Sequence, residues 1–261
     1  MSSTAALTSV AAVFSHQLRR TRRAWASSLA AGLATPTLFL FAIGAGLGSQ
    51  IDDAELATLG VDSYIDYIGP GILIVTAMQI ASTESMWPTM GLLRWEGVYK
   101  AILASPITSA ELGVAHVLWI GFRGLVTAVC FLVVLALAGA LGSWTAIGVA
   151  LAAMLVAWCH AGPIVAFAVG LDRDNVFPML SRVVIFPLFL FSGAFFPVDD
   201  MPSAIAAVAK VTPSWHGVEL ARHLATGDLT STDGLHAIYL VVISAIGFVL
   251  VRRQFRKHLD I

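Results

Sequence analysis

Between Arg123 and Asp172 the chain carries no Asp, Glu, Lys or Arg. The only turn signals in that stretch lie between Gly139 and Trp144, so it reads as two apolar helices joined by a short connection. A helix that crosses a bilayer needs roughly 20 mostly apolar residues. Each half of this stretch meets that length, and no soluble core accommodates two such helices side by side with so little polar surface.

The rest of the chain repeats the pattern. Of 261 residues, 58% are hydrophobic and 12% charged, and the mean hydropathy is +0.85. Six stretches reach or approach the length of a span: Ala24 to Gly48, Tyr67 to Trp87, Gly113 to Gly142, Trp144 to Leu171, Val176 to Phe196 and Leu235 to Val251. The runs are continuous rather than alternating, which argues against a β-barrel. The basic cluster Arg19, Arg20, Arg22 and Arg23 comes late, and the apolar run behind it is too long for a signal peptide, so the first stretch is expected to be a retained span. Cys130 and Cys159 both lie inside expected spans, as buried thiols rather than a disulfide framework.

Lys and Arg favour the cytoplasmic ends of spans. With six spans and the N-terminus inside, the inner segments hold 12 of the 15 basic residues. The outer segments hold 10 of the 16 acidic ones. Both termini of this multi-pass chain are therefore expected in the cytoplasm.

On that orientation the segment "RWEGVYKAILASPITSAELGVAHVLW", Arg94 to Trp119, opens with a cytoplasmic elbow. Trp95, Val98, Tyr99, Ile102 and Leu103 fall at the spacing of one helical face, with Arg94, Glu96, Gly97, Lys100 and Ala101 on the remainder. A helix over 94–106, lying along the membrane surface, fits the pattern. Ser105-Pro106 stops it, and Thr108 with Glu111 forms a capping box for the next helix. The helix either anchors the loop to the membrane or docks into a cytoplasmic partner.

Two further segments are organised. Leu7, Val10, Phe14 and Leu18 give residues 4–23 an amphipathic pattern ending in the arginine cluster, which either lies on anionic lipid headgroups or serves only as a topology signal. Residues 197–230 carry their own helix signals. Pro202 opens a short segment; Thr212-Pro213 is an N-cap followed by proline; Trp215, Val218 and Leu224 continue an apolar stripe; Gly227 ends it. These helices form an external cap or dip back into the outer leaflet.

The chemistry that is missing is equally informative. The only lysines are Lys100, Lys210 and Lys257, and none follows a glycine, so no G-x-x-x-x-G-K-[ST] phosphate loop exists. HExxH and GxSxG are absent, and Cys159 and His160 point about 100° apart on a helix, unable to share a metal. His160 reads as a polar contact between helices, and His116 as an interfacial residue. Glu84, Arg123 and His160 are the polar groups deep in the spans and the candidates for a pathway. Arg123 is expected to pair with Glu84, to line a hydrated seam between two membrane domains, or to sit at the interface.

"YIDYIGPGIL" entering the second span, "EGVYKAILASPITSAELGVAHVLW" in the elbow, and "FPLFLFSGAFFPVDDMP" followed by "VTPSWHGVELAR" before the last span resemble the membrane subunit of ABC-2 type exporters. The likeness is closest to the branch of nodulation lipo-oligosaccharide and anthracycline-type drug exporters. It covers about a third of the chain directly, and the order of its motifs spans nearly all of it. The resemblance implies that the elbow is a coupling helix seated in a groove of a separate ATPase subunit. Trp95, Glu96, Val98, Tyr99, Lys100, Ile102 and Leu103 would then be its contact residues. It also implies re-entrant helices before the last span, and a second membrane subunit beside the first.

The expected fold is thus an all-α polytopic membrane domain of six transmembrane helices. The expected function is the permease of an ATP-driven exporter moving an amphiphilic drug, lipid or lipid-linked glycan. No cofactor is expected in this chain; ATP and Mg belong to the partner. Partners are that ATPase, a second membrane subunit and lipids, not nucleic acid. An ion-coupled secondary transporter, or another ATP-independent polytopic membrane protein, is the alternative reading.

Overall fold

The computed structural model describes residues 3–22, 25–46 and 48–260. Arg23 and Ala24, and with them one arginine of the basic cluster and the start of the expected first span, lie outside the described residues. Among those described, every regular element is helical. In chain order they are α1 (Ser3–Thr21), α2 (Trp25–Gly46), α3 (Asp53–Leu59), α4 (Tyr64–Met90), α5 (Val98–Leu103), α6 (Ser109–Leu137), α7 (Ile147–Val169), α8 (Phe177–Leu180), α9 (Phe186–Leu190), α10 (Ser203–Lys210), α11 (Pro213–Thr226) and α12 (Ser231–Leu259).

Among the described residues, five helices are long and apolar enough to cross a membrane: Trp25–Gly44, Tyr64–Trp95, Ser109–Leu137, Trp144–Val169 and Ser231–Leu259. Three of them start on the same device. Ser63 with Asp66, Thr108 with Glu111, and Thr230 with Asp233 form capping boxes that satisfy backbone N–H groups otherwise left open at a helix start. At Thr108 the backbone N–H donates to Glu111 Oε2 at 2.9 Å, and the Glu111 N–H donates to Thr108 Oγ1 at 3.3 Å. This is the box the sequence led us to expect.

The fifth expected span, Val176 to Phe196, is shorter than its hydropathy suggested. The apolar helical segment runs Phe177–Leu190, through α8, a π-helical turn over Ser181–Ile185, and α9. It stops before Ser192-Gly193 because Gly193 takes φ +83°, a left-handed conformation that helices do not continue. The segment nevertheless connects opposite ends of the bundle. Asp172, just before it, lies 3.3 Å from Arg94. Phe195, just after it, accepts a 2.8 Å hydrogen bond from the Tyr64 hydroxyl through its carbonyl.

α4 and α7 form the spine, with 72% of each apolar stretch buried inside the bundle. Two buried serines of α4 close on their own helix: Ser82 Oγ donates to the Met78 carbonyl at 2.8 Å and Ser85 Oγ to the Ala81 carbonyl at 2.6 Å. α12 approaches α7 where Gly162 faces Gly247. A Cβ on Gly162 would lie 2.5 Å from the Gly247 Cα, so only glycine fits. α10 and α11 begin where Pro202 and Thr212-Pro213 placed them, with the Trp215 N–H donating to Thr212 Oγ1 at 3.3 Å.

Candidate functional site: an elbow and a cleft on one bundle

The elbow differs from the single surface helix expected over 94–106. α4 continues past Met90 into a π-helical turn, Gly91–Trp95. Gly97 then takes φ +67° and breaks the chain direction, and α5 restarts at Val98. Trp95 therefore sits on a different element from the rest of the apolar set. It is 62% exposed, whereas Tyr99 is fully buried.

The expectation that Tyr99 faces a partner is thus corrected. Its ring lies edge-on to His116, with centroids 5.7 Å apart, and 5.9 Å from the Phe255 ring of α12. Val98, Ile102 and Leu103 are half-buried against the same cluster, so the apolar face of α5 grips its own bundle. Burial pushes the Tyr99 phenol well above its usual range. The outer rim consists of Trp95, Glu96, Lys100 and Ala101, followed by Ala104 to Pro106, all exposed. His116 is likewise buried rather than interfacial, bonded to the Thr89 hydroxyl at 2.9 Å.

The last turn of α1 and the end of α12 both meet this region. Arg20, near the end of α1, pairs with Glu96 at 2.8 Å. Asp260, past the end of α12, accepts a hydrogen bond from the Ser109 hydroxyl at 2.5 Å.

The second feature is a cleft of about 1330 Å³ between α2 on one side and α4 with α6 on the other, closed at its far end by Phe189 and Phe195. Only 12% of the apolar stretch of α2 is buried, which leaves the space open. Trp25 and Phe39 line it from α2, Ile72 and Gln79 from α4, Trp119 and Phe122 from α6. Glu84 and Arg123 meet on its wall, Arg123 Nη1 3.1 Å from Glu84 Oε1, with side chains 22% and 25% exposed. Of the three arrangements open to Arg123, the direct pair is the one observed.

His160 lies outside the cleft. Its Nδ1 is 2.8 Å from the Val156 carbonyl and its Nε2 3.3 Å from the Ser214 hydroxyl, so it ties α7 to α11 as a contact between helices. Sequence reasoning missed Arg222. It is stacked 3.8 Å over the Tyr67 ring, pairs with Glu219 at 3.1 Å, and donates to the carbonyls of Tyr67, Gly193 and Ala194. This one side chain binds the α10–α11 hairpin to α4 and to the loop after α9. Its signal was its rarity, as one of two basic residues in a segment otherwise acidic.

Residues 8–225 match the family described as ABC-2 type transporter. The chain belongs to that family. Nodulation protein J of Rhizobium leguminosarum bv. viciae is 28% identical over 92% of this chain and 93% of its own length. Nodulation protein J of Rhizobium meliloti is 26% identical over 92% of each. The capsule polysaccharide export inner-membrane protein BexB of Haemophilus influenzae is 34% identical over 38% of each chain. Members of the ABC-2 family are membrane subunits of transporters without an ATPase site of their own, in keeping with the missing phosphate loop. This ABC-2 chain is a multi-pass membrane protein.

Proposed function

We propose that this chain is the permease of an ATP-driven exporter in the bacterial cytoplasmic membrane, docked through its elbow to a separate ATPase that supplies ATP and Mg. The observation that carries the reading is the two-faced elbow. α5 is fastened to α6 and α12 by Tyr99, while Trp95, Glu96 and Lys100 stand out on the rim. A helix held this way transmits a push from outside into α4 and α6, because short turns join it to both and Tyr99 packs it on α6 and α12.

α8–α9 acts as the sixth span. It leads from the elbow end to the far end, which brings α1 and the end of α12 to one side, and the excess of basic residues makes that side cytoplasmic. α1 then lies along the inner leaflet, and α10–α11 dips into the outer one. Two copies, or this chain and a sister chain, form the membrane unit. The cargo is amphiphilic: a drug, a lipid or a lipid-linked glycan. The name of one relative, a capsule polysaccharide export protein, favours the glycan-bearing end of that range.

Purification from native membranes in mild detergent tests the reading. A tagged chain should retain a subunit that hydrolyses ATP, and cysteines placed at Ser63 and Ser231, but not at Ser105, should react with an impermeant thiol reagent in intact cells. A chain that transports with no ATPase attached, or that labels at Ser105 from outside, contradicts it.

A further inference from the structure

The cleft is neither a packing defect nor wholly apolar. α4 is the most deeply packed helix with α7, yet Gln79 and Thr83 on it are exposed into the cleft, and neither side chain has a hydrogen-bond partner among the described residues. An unpartnered amide at that depth in hydrocarbon is costly unless water or a ligand satisfies it. The charged groups are gathered at one end. Arg22 lines the mouth, one residue after α1 and close to the elbow end, where Arg20 pairs with Glu96. Glu84 and Arg123 follow on the wall. Two arginines face one glutamate, so the polar end is positive by one charge. The remainder, from Leu29 to Phe39 on α2 and back to Ile72 on α4, is apolar apart from Gln79 and threonine hydroxyls.

The dimensions match a single membrane leaflet. From Trp25 to Phe39 a helix rises about 21 Å, more than the half-thickness of the hydrocarbon, about 15 Å. A lipid acyl chain lying along the cleft therefore reaches its aromatic end while its headgroup stays at the arginines.

We propose that this cleft is a binding site for one anionic phospholipid of the inner leaflet, its phosphate between Arg22 and Arg123, its glycerol region at Gln79 and Thr83, and its acyl chain against Phe39 and Phe195. The proposal rests on the orientation given under the proposed function. It concerns the single chain, so it fails or survives independently of whether an ATPase is attached. Glu84 sets the selectivity. It neutralises Arg123 when the site is empty and weakens the pull on a phosphate, so removing it strengthens anionic binding.

The test uses the full chain in zwitterionic nanodiscs doped with phosphatidylglycerol or phosphatidylcholine bearing a photoreactive group midway along one acyl chain. Adducts are mapped by mass spectrometry. Phosphatidylglycerol should label α2 and α4 in the cleft and phosphatidylcholine much less. Arg22→Gln, which breaks no ion pair among the described residues, should lower the anionic labelling about fivefold, the electrostatic share of one arginine near a membrane surface. Glu84→Gln should raise it. Gly32→Leu should suppress labelling by both lipids without loss of fold, since a Cβ at Gly32 meets only Ile80 at 3.9 Å and Thr127 at 4.0 Å. Excess glycerol phosphate should not compete, because the acyl chain holds the ligand. Equal labelling by the two lipids overturns the proposal, as does displacement by glycerol phosphate alone. Disulfide-linked dimers of a Gln79→Cys variant in place of lipid adducts would assign the cleft to a second copy and overturn it too.

Discussion

Tyr99 in the elbow and Trp25 at the mouth of the cleft are both large aromatic residues near the same end of the bundle, yet Tyr99 is fully buried and Trp25 is 58% exposed. Around Tyr99 three elements close on one ring. Around Trp25 one helix stands away from its neighbours. The chain is tight at the elbow and open along the cleft. That division follows from side-chain size. Small residues let α4, α7 and α12 approach closely, and in a bilayer close packing rather than apolar character holds helices together. α2 has a mean hydropathy of 1.6 against 1.3 for α4, yet is far less buried.

The largest expected effect comes from loosening the tight region. Tyr99→Ala should cost about 3–5 kcal/mol, the range for removing a buried aromatic ring, read as a fall in the melting temperature of the detergent-solubilised protein. Trp25→Ala should change that temperature little. Equal losses for the two would erase the distinction between elbow and cleft.

The ion pair lies between the extremes. Glu84→Gln and Arg123→Gln should each destabilise, since each leaves the other charge partly desolvated, and the double variant should recover part of the loss. A coupling of about 0.5–3 kcal/mol is the ordinary range for groups in contact. Additive losses would mean that the 3.1 Å approach of the two side chains contributes nothing.

Among glycines the comparison sharpens further. Gly162→Ala forces a methyl onto the Gly247 backbone at 2.5 Å and should cost about 1–3 kcal/mol. Gly32→Ala, facing the cleft, should stay within about 0.5 kcal/mol of the parent. Thermal scans of the two variants side by side decide it.

Much of this was legible in the sequence because it depends on local chemistry. The charge-free stretch after Arg123, the Thr108–Glu111 box and the Thr212-Pro213 start all act within a few residues of themselves. The elbow was only half legible. Helical spacing placed Trp95 and Tyr99 on one face, and nothing in periodicity revealed that Gly97 would turn left-handed between them. Which way an apolar face points was also hidden, because in a membrane chain apolar residues face lipid, partner or core alike. Phe177–Leu190 illustrates the same limit from the other side. Its hydropathy continued to Phe196, and the helix was cut short by the Gly193 turn and by Arg222, which reaches in from α11 to hold the loop carbonyls. Such contacts between distant segments leave no periodic trace. Glu84 and Arg123 could be singled out by their depth, but their meeting required the register of α4 against α6.

The claim that the elbow is held by one face and works through the other is tested most directly by a Trp95→Ala, Lys100→Glu variant assayed with its ATPase in proteoliposomes. Both side chains are exposed, so the melting temperature should match the parent while cargo-stimulated ATP hydrolysis falls at least about tenfold, as for loss of roughly 1.4 kcal/mol of coupling. Full stimulated activity in a correctly folded variant would contradict the account.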